Sequence, residues 1–167
     1  MELVNLGWIR PRERAVHVKV RTLVVGYDGS DPARDAIHTA ADIVANDGIV
    51  HIVTAYHPMS QADLGDLRRA LPDEFQYSFD PIGEQGNLLA EAGLVLHDRG
   101  IEHDCHLVAD DPATAILEIA EKVDADLIIV GSRGLGTMRR FIRGSVSVRV
   151  ATHAPTSVMI VHAPVAA

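Results

Sequence analysis

The chain has 167 residues, 47% of them hydrophobic and 23% charged, with a single cysteine and a formal net charge of -8 at neutral pH. That length suits one globular domain able to bury its own core, and the apolar content argues against a disordered chain. The acidic balance argues against a nucleic-acid surface, no run approaches the roughly 20 apolar residues that span a bilayer, and a lone Cys105 rules out an internal disulfide, so a cytoplasmic protein is expected.

Residues 1–20 read as an N-terminal arm. Trp8, Pro11, Arg10, Arg12 and Arg14 lack the apolar run of a secretory signal, and Ala15 to Val20 shows a weak strand-like alternation. This stretch is either an arm of the domain or sequence upstream of its true start. A single domain is expected over 21–163. Its first strand is Thr22 to Gly26, after which Asp31-Pro32 supplies an N-cap and a first helical residue. Ile37, Ala40, Ala41 and Val44 recur at helical spacing, and Asn46-Asp47-Gly48 is the expected stop. Ile49 to Ala55 is the second strand.

From 57 to 82 the pattern loosens, with Pro58, Pro72 and Pro81 and one short helical stretch at Leu64 to Leu71. A lid, a partner contact and a disordered insert all fit a tract of this length. Leu88, Leu89, Ala92, Val95 and Leu96 then mark a helix stopped by Gly100, and Ile101 to Val108 is the third strand. Within that strand His103-Asp104-Cys105-His106 invites a metal reading. Alternation turns His103 and Cys105 away from His106, and zinc-type spacing is absent, so no metal ligand is assigned. Asp111-Pro112 opens a helix bearing Ile116, Ile119, Ala120 and Val123, and Leu127 to Val130 is the fourth strand. Ser145 to His153 is the last helix, despite β-branched Val146, Val148 and Val150, and Ser157 to Val161 is the last strand.

Strands alternating with helices predict βαβ units: an α/β fold with a five-stranded parallel open sheet in Rossmann-like order 3-2-1-4-5 and helices on both faces. In such sheets ligands sit beyond the carboxyl ends of the strands where the order reverses, here between the first and fourth. Tyr27-Asp28-Gly29-Ser30 would then face Gly131-Ser132-Arg133-Gly134 across one crevice.

The second of these loops carries the strongest signal in the chain. Gly131-Ser132-Arg133-Gly134 is followed by nine residues and then Gly144-Ser145, directly after the apolar run of the fourth strand. Glycines there can bring bare backbone N–H groups to a phosphate, and Ser145 can open a helix; alternatively, Gly131 only ends a strand and Gly144 only caps a helical piece. Arg133, Arg139, Arg140 and Arg143 cluster in this segment of an otherwise acidic protein. They form either a solvated face or a polyphosphate contact, with one or two, Arg133 among them, reaching the ligand. Asp28 can accept from a ribose hydroxyl or adenine amine, or can simply form the turn that Asp-Gly favours. There is no Walker A loop, and Gly134-Leu135-Gly136 lacks the third glycine of a dinucleotide fingerprint.

Gly131, Gly134, Gly144 and Ser145 match the pattern G-x2-G-x9-G-[S/T]. Together with Val24-Val25-Gly26-Tyr27-Asp28-Gly29-Ser30, this resembles the ATP-binding branch of the universal stress protein family. The resemblance implies a HUP-type domain that binds ATP. Gly26, Tyr27 and Asp28 would border adenine and ribose, Ala55 and Val130 would flank adenine, and Gly131, Gly134, Gly144, Ser145, Val146 and Ser147 would hold phosphates. It also implies a homodimer through the last strand and a regulatory role toward a partner the sequence does not identify. Relatives often carry Gly where this chain has Asp110; with Asp111 it could favour Mg²⁺ or serve helix capping, and no metal ligand follows. The alternatives are slow ATP hydrolysis or phosphoryl transfer, for which no catalytic base stands out among His51, His57, His97 and His153, a cyclic-nucleotide (cAMP) sensor, and a structural dimer with an empty crevice.

Overall fold

The computed structural model describes residues 20–58, 60–70, 72, 80–132 and 146–162. In chain order these form β1 (Val20–Gly26), α1 (Asp31–Ile43), β2 (Val44–Ala55), α2 (Gln61–Ala70), α3 (Pro81–Asp98), β3 (Glu102–Val108), α4 (Pro112–Lys122), β4 (Leu127–Gly131), α5 (Val146–His153) and β5 (Ser157–Val161). All five strands pair in parallel in the order β3-β2-β1-β4-β5, as the sequence predicts.

Alternation along the strands sorts the core into two layers. Leu23, Val25, Val50, Ile52 and Ile129 face α1 and α3, where Ala36, Ile37, Ala40, Leu89 and Leu96 meet them. Val24, Val53, Ile128 and Val130 face α4 and α5, where Ala113, Ile116, Ala120 and Val150 close the other side. Burial on both faces is why these strands read as continuous apolar runs. The carboxylate of Asp126 accepts from the backbone N–H groups of Arg21 (3.0 Å) and Thr22 (2.9 Å), which fixes the entry of β4 against the start of β1. Those two bonds, Thr22 first, hold the Asp126 pKa below the ordinary carboxylate value.

Local boundaries depart from the sequence reading at four places. Val44 does not continue α1. It takes an extended ψ of 142, and the chain turns directly into β2, pairing Val20 with Val44 before the register shifts to Thr22 with Ile49. Gly48 is therefore no helix stop; a Cβ there would lie 2.7 Å from the carbonyl oxygen of Arg21, so close backbone approach selects the glycine. The residue at the N-cap of α1 is Ser30 rather than Asp31, with Pro32 inside the first turn. Finally, in the tract from 57 to 82 the short helix expected at Leu64 to Leu71 is present as α2 but starts earlier, at Gln61, and α3 already begins at Pro81. Ser60 accepts from the Asp63 N–H at 3.1 Å to begin α2, and the Asp80 side chain accepts from the Gly83 N–H at 3.0 Å to cap α3. Among the described residues no helix is long and apolar enough to cross a membrane.

Candidate functional site

At the carboxyl edge of the sheet β1 and β4 lie side by side while the helices that follow them in the chain pack on opposite faces, α1 on one and α5 on the other. Glycine sits at the end of both strands, for steric reasons visible in their neighbours. A Cβ on Gly26 would meet Ile116 Cδ1 at 2.5 Å and Val130 Cγ1 at 3.3 Å. One on Gly131 would lie 2.9 Å from the Pro32 carbonyl carbon and 3.0 Å from the Ala33 nitrogen. The end of β4 is thus pressed against the first turn of α1, whose N–H groups and dipole present positive potential.

Beyond Gly26 the chain is locked to β2. The Tyr27 N–H donates to the Val53 carbonyl at 2.8 Å, and the buried Thr54 hydroxyl donates to the Tyr27 carbonyl at 2.8 Å. The Tyr27 side chain is buried in the α1 and α3 layer, where burial, with Glu91 adding, raises its pKa. What Tyr27 brings to the edge is its backbone. Asp28 Oδ1 accepts from the Ser30 N–H at 3.1 Å, and Gly29 follows at a φ of 76 in the left-handed region, so the turn expected from Asp-Gly is present. A Cβ on Gly29 would also meet Leu88 Cδ2 at 2.8 Å.

Ala55, half-buried, ends β2 opposite Val108 and lies two residues past Val53, the partner of Gly26. Val130 is buried in the α4 and α5 layer with Val150, and half-buried Val146 packs on the same cluster. Ser147 is buried in the first turn of α5. The Ser132 N–H donates to the Val161 carbonyl at 2.7 Å, which holds the exit of β4 to β5. Arg133, Gly134, Gly144 and Ser145 lie outside the described residues, as do Arg139, Arg140 and Arg143.

In the acidic pair after β3, Asp111 is the N-cap of α4. Asp111 accepts from the N–H groups of Ala113 (3.1 Å) and Thr114 (3.2 Å) and from the Arg149 guanidinium, and Asp110 accepts from the Asp111 N–H. Burial acts to raise the Asp111 carboxyl, but the Thr114 and Arg149 hydrogen bonds outweigh it and hold its pKa below the ordinary value. The bridge to Arg149 joins the first turn of α5 to the first turn of α4. Sequence offers no signal for it, because the partners are 38 positions apart.

A second grouping is also invisible in the sequence. Register sets His51 of β2 beside Asp104 of β3, and alternation turns His106 to the same face. His51 Nδ1 is 3.1 Å from His106 Nε2 and 3.7 Å from Asp104 Oδ2. Burial, then the neighbouring His106, pushes the His51 pKa down against the pull of Asp104, and burial also lowers His106. His103 and Cys105 face α3 instead, the side on which a Cβ on Gly93 would meet them at 3.0 and 3.6 Å.

Helices on both faces of a parallel sheet that reverses its strand order between β1 and β4 define the doubly wound, Rossmann-like class. Within that class the chain belongs to the universal stress protein family, whose family model matches residues 19–162. A universal stress protein of Mycobacterium tuberculosis is 33% identical over 145 residues, covering 85% of this chain and 96% of the relative. A solved universal stress protein in complex with cAMP is 32% identical, with a TM-score of 0.62, covering 86% of this chain and 98% of that one. The universal stress protein of Archaeoglobus fulgidus in complex with dAMP shares the fold, with 24% identity and a TM-score of 0.60 over 84% of this chain and 97% of that one.

Proposed function

We propose that the chain is a cytoplasmic stress-response regulator that binds ATP beyond the carboxyl ends of β1 and β4 and works as a homodimer through β5. The domain is taken as 21–163 together with Val20, which already belongs to β1, and the residues before it as an arm. One positional observation carries the reading. Gly131, which opens the Gly131-x2-Gly134-x9-Gly144-Ser145 pattern, ends β4 against the first turn of α1, at the point where the strand order reverses. Phosphate is favoured beside such a helix start, and bare glycine backbone lets it approach.

In this reading Gly26, Tyr27 and Asp28 on the β1 side, Ala55 on β2 and Val130 on β4 frame adenine and ribose. Backbone at Gly131, Gly134, Gly144, Ser145, Val146 and Ser147, with the Arg133 guanidinium, takes the phosphates. Asp111 is committed to its cap and to Arg149, so a magnesium ion would enter on the triphosphate rather than on that carboxylate. The relative solved with cAMP supports an adenine nucleotide as the ligand class, and it also favours a second reading, a cyclic-nucleotide sensor.

Calorimetry of the full chain with ATP, AMP and cAMP tests both. ATP is expected to bind most tightly, and Gly144→Val is expected to abolish binding by blocking backbone approach to phosphate. Unchanged ATP affinity in that variant overturns the site; cAMP binding tighter than ATP selects the sensor.

A further inference from the structure

We propose that His51, Asp104 and His106 form a binding site for a divalent transition-metal ion of the zinc class, on the sheet face covered by α4. Their ligand atoms all lie within 4.8 Å of one another. The His51 Nδ1 to His106 Nε2 separation of 3.1 Å and the His51 Nδ1 to Asp104 Oδ2 separation of 3.7 Å bracket a useful distance. Two ligands about 2.0–2.1 Å from a tetrahedral zinc ion stand about 3.3 Å apart, so small side-chain rotations suffice to enclose a cation.

The donor set suits the same ions. Two imidazoles and one carboxylate match borderline-soft zinc, whereas magnesium and calcium prefer sites made of oxygen. Three protein ligands leave a fourth position for water, on the side where Asp104 is exposed. The backbone supports the arrangement: His51 and Asp104 are direct register partners in a parallel ladder and His106 lies two residues on, so all three side chains rise from one pleated face. Without a metal, one imidazole donates to the other across that 3.1 Å contact, which already brings the two ring nitrogens together. Lys122 at the end of α4 is the nearby cation and acts against a bound ion, which limits affinity without touching the ligand geometry.

The grouping stands apart from the nucleotide reading. His51 lies four residues before the end of β2, and His106 lies two before the end of β3, below the carboxyl edge. Failure of one proposal leaves the other standing.

The test is titration of the full chain, stripped by a chelator, with Zn²⁺ alone, followed by competition with a chromophoric chelator and by visible absorption of the Co²⁺ form. One Zn²⁺ per chain is expected, with a tetrahedral Co²⁺ spectrum. Asp104→Asn and His106→Gln should each weaken Zn²⁺ by at least about tenfold and remove the Co²⁺ band, while His103→Gln, on the opposite face, changes neither. The Asp104 side chain is 62% exposed, so Asp104→Asn carries the test even if His106→Gln fails to fold. No Zn²⁺ binding by the wild-type chain, or unchanged binding in Asp104→Asn, overturns the site.

Discussion

The two edges of the sheet solve the same problem in opposite ways. β3 presents Glu102, Asp104 and Cys105 as exposed side chains with His103 and His106 half-buried, and charge along an edge discourages another strand from adding to it. β5 carries Val158, Met159, Ile160 and Val161, with Met159 and Ile160 each 37% exposed. An apolar edge of that kind is a liability unless something pairs with it. The contrast is the physical support for the proposal that a second copy pairs through β5 rather than β3.

The largest expected effect comes from making the two edges alike. Ile160→Lys places a charge from each copy in the proposed β5 pairing edge, and dimerisation should weaken by on the order of 100-fold, equivalent to about 2.7 kcal/mol. Sedimentation across a concentration series checks it, and an unshifted equilibrium would remove β5 from the interface. The converse change, Glu102→Val with Asp104→Val, should create self-association beyond the dimer worth up to about 2 kcal/mol over the two positions. Light scattering after size exclusion reads that outcome.

Smaller effects belong to the turn that leads away from the β3 edge. Asp111→Ala removes the cap of α4 and its tie to α5, and urea denaturation should report a loss of about 1 kcal/mol. Because the Asp111 pKa is depressed in the folded chain, its contribution is complete at neutral pH and disappears as pH falls through the folded value. Asp111→Asn should therefore flatten the acid limb of the stability profile while leaving the alkaline side unchanged.

Strand order was legible because burial on both faces leaves unbroken apolar runs such as Leu127 to Val130, and because Asp-Pro and glycine punctuate the helices. The end of α1 was misread because Val44 falls on the helical period of Ile37 and Ala40; only its extended backbone reveals the turn into β2. At the candidate site, Gly26 and Gly131 were readable as special positions, yet what they avoid, Ile116 and the Pro32 backbone, depends on packing across the sheet. The histidine grouping was out of reach for a related reason. His51 and His106 are 55 positions apart, and only the β2–β3 register makes them neighbours.

β1 is central, pairing with β2 on one side and, through Leu23, Val24 and Val25, with β4 on the other. A ribosome adding roughly 5–20 residues per second needs on the order of ten seconds to travel from residue 25 to residue 127. If β1 pairs with β2 as soon as both are made, its β4 side would stay unclaimed through that interval. Expression at lower temperature or with abundant chaperones should accordingly raise the soluble yield more than stabilising the finished protein does, since the hazard is over once β4 has emerged.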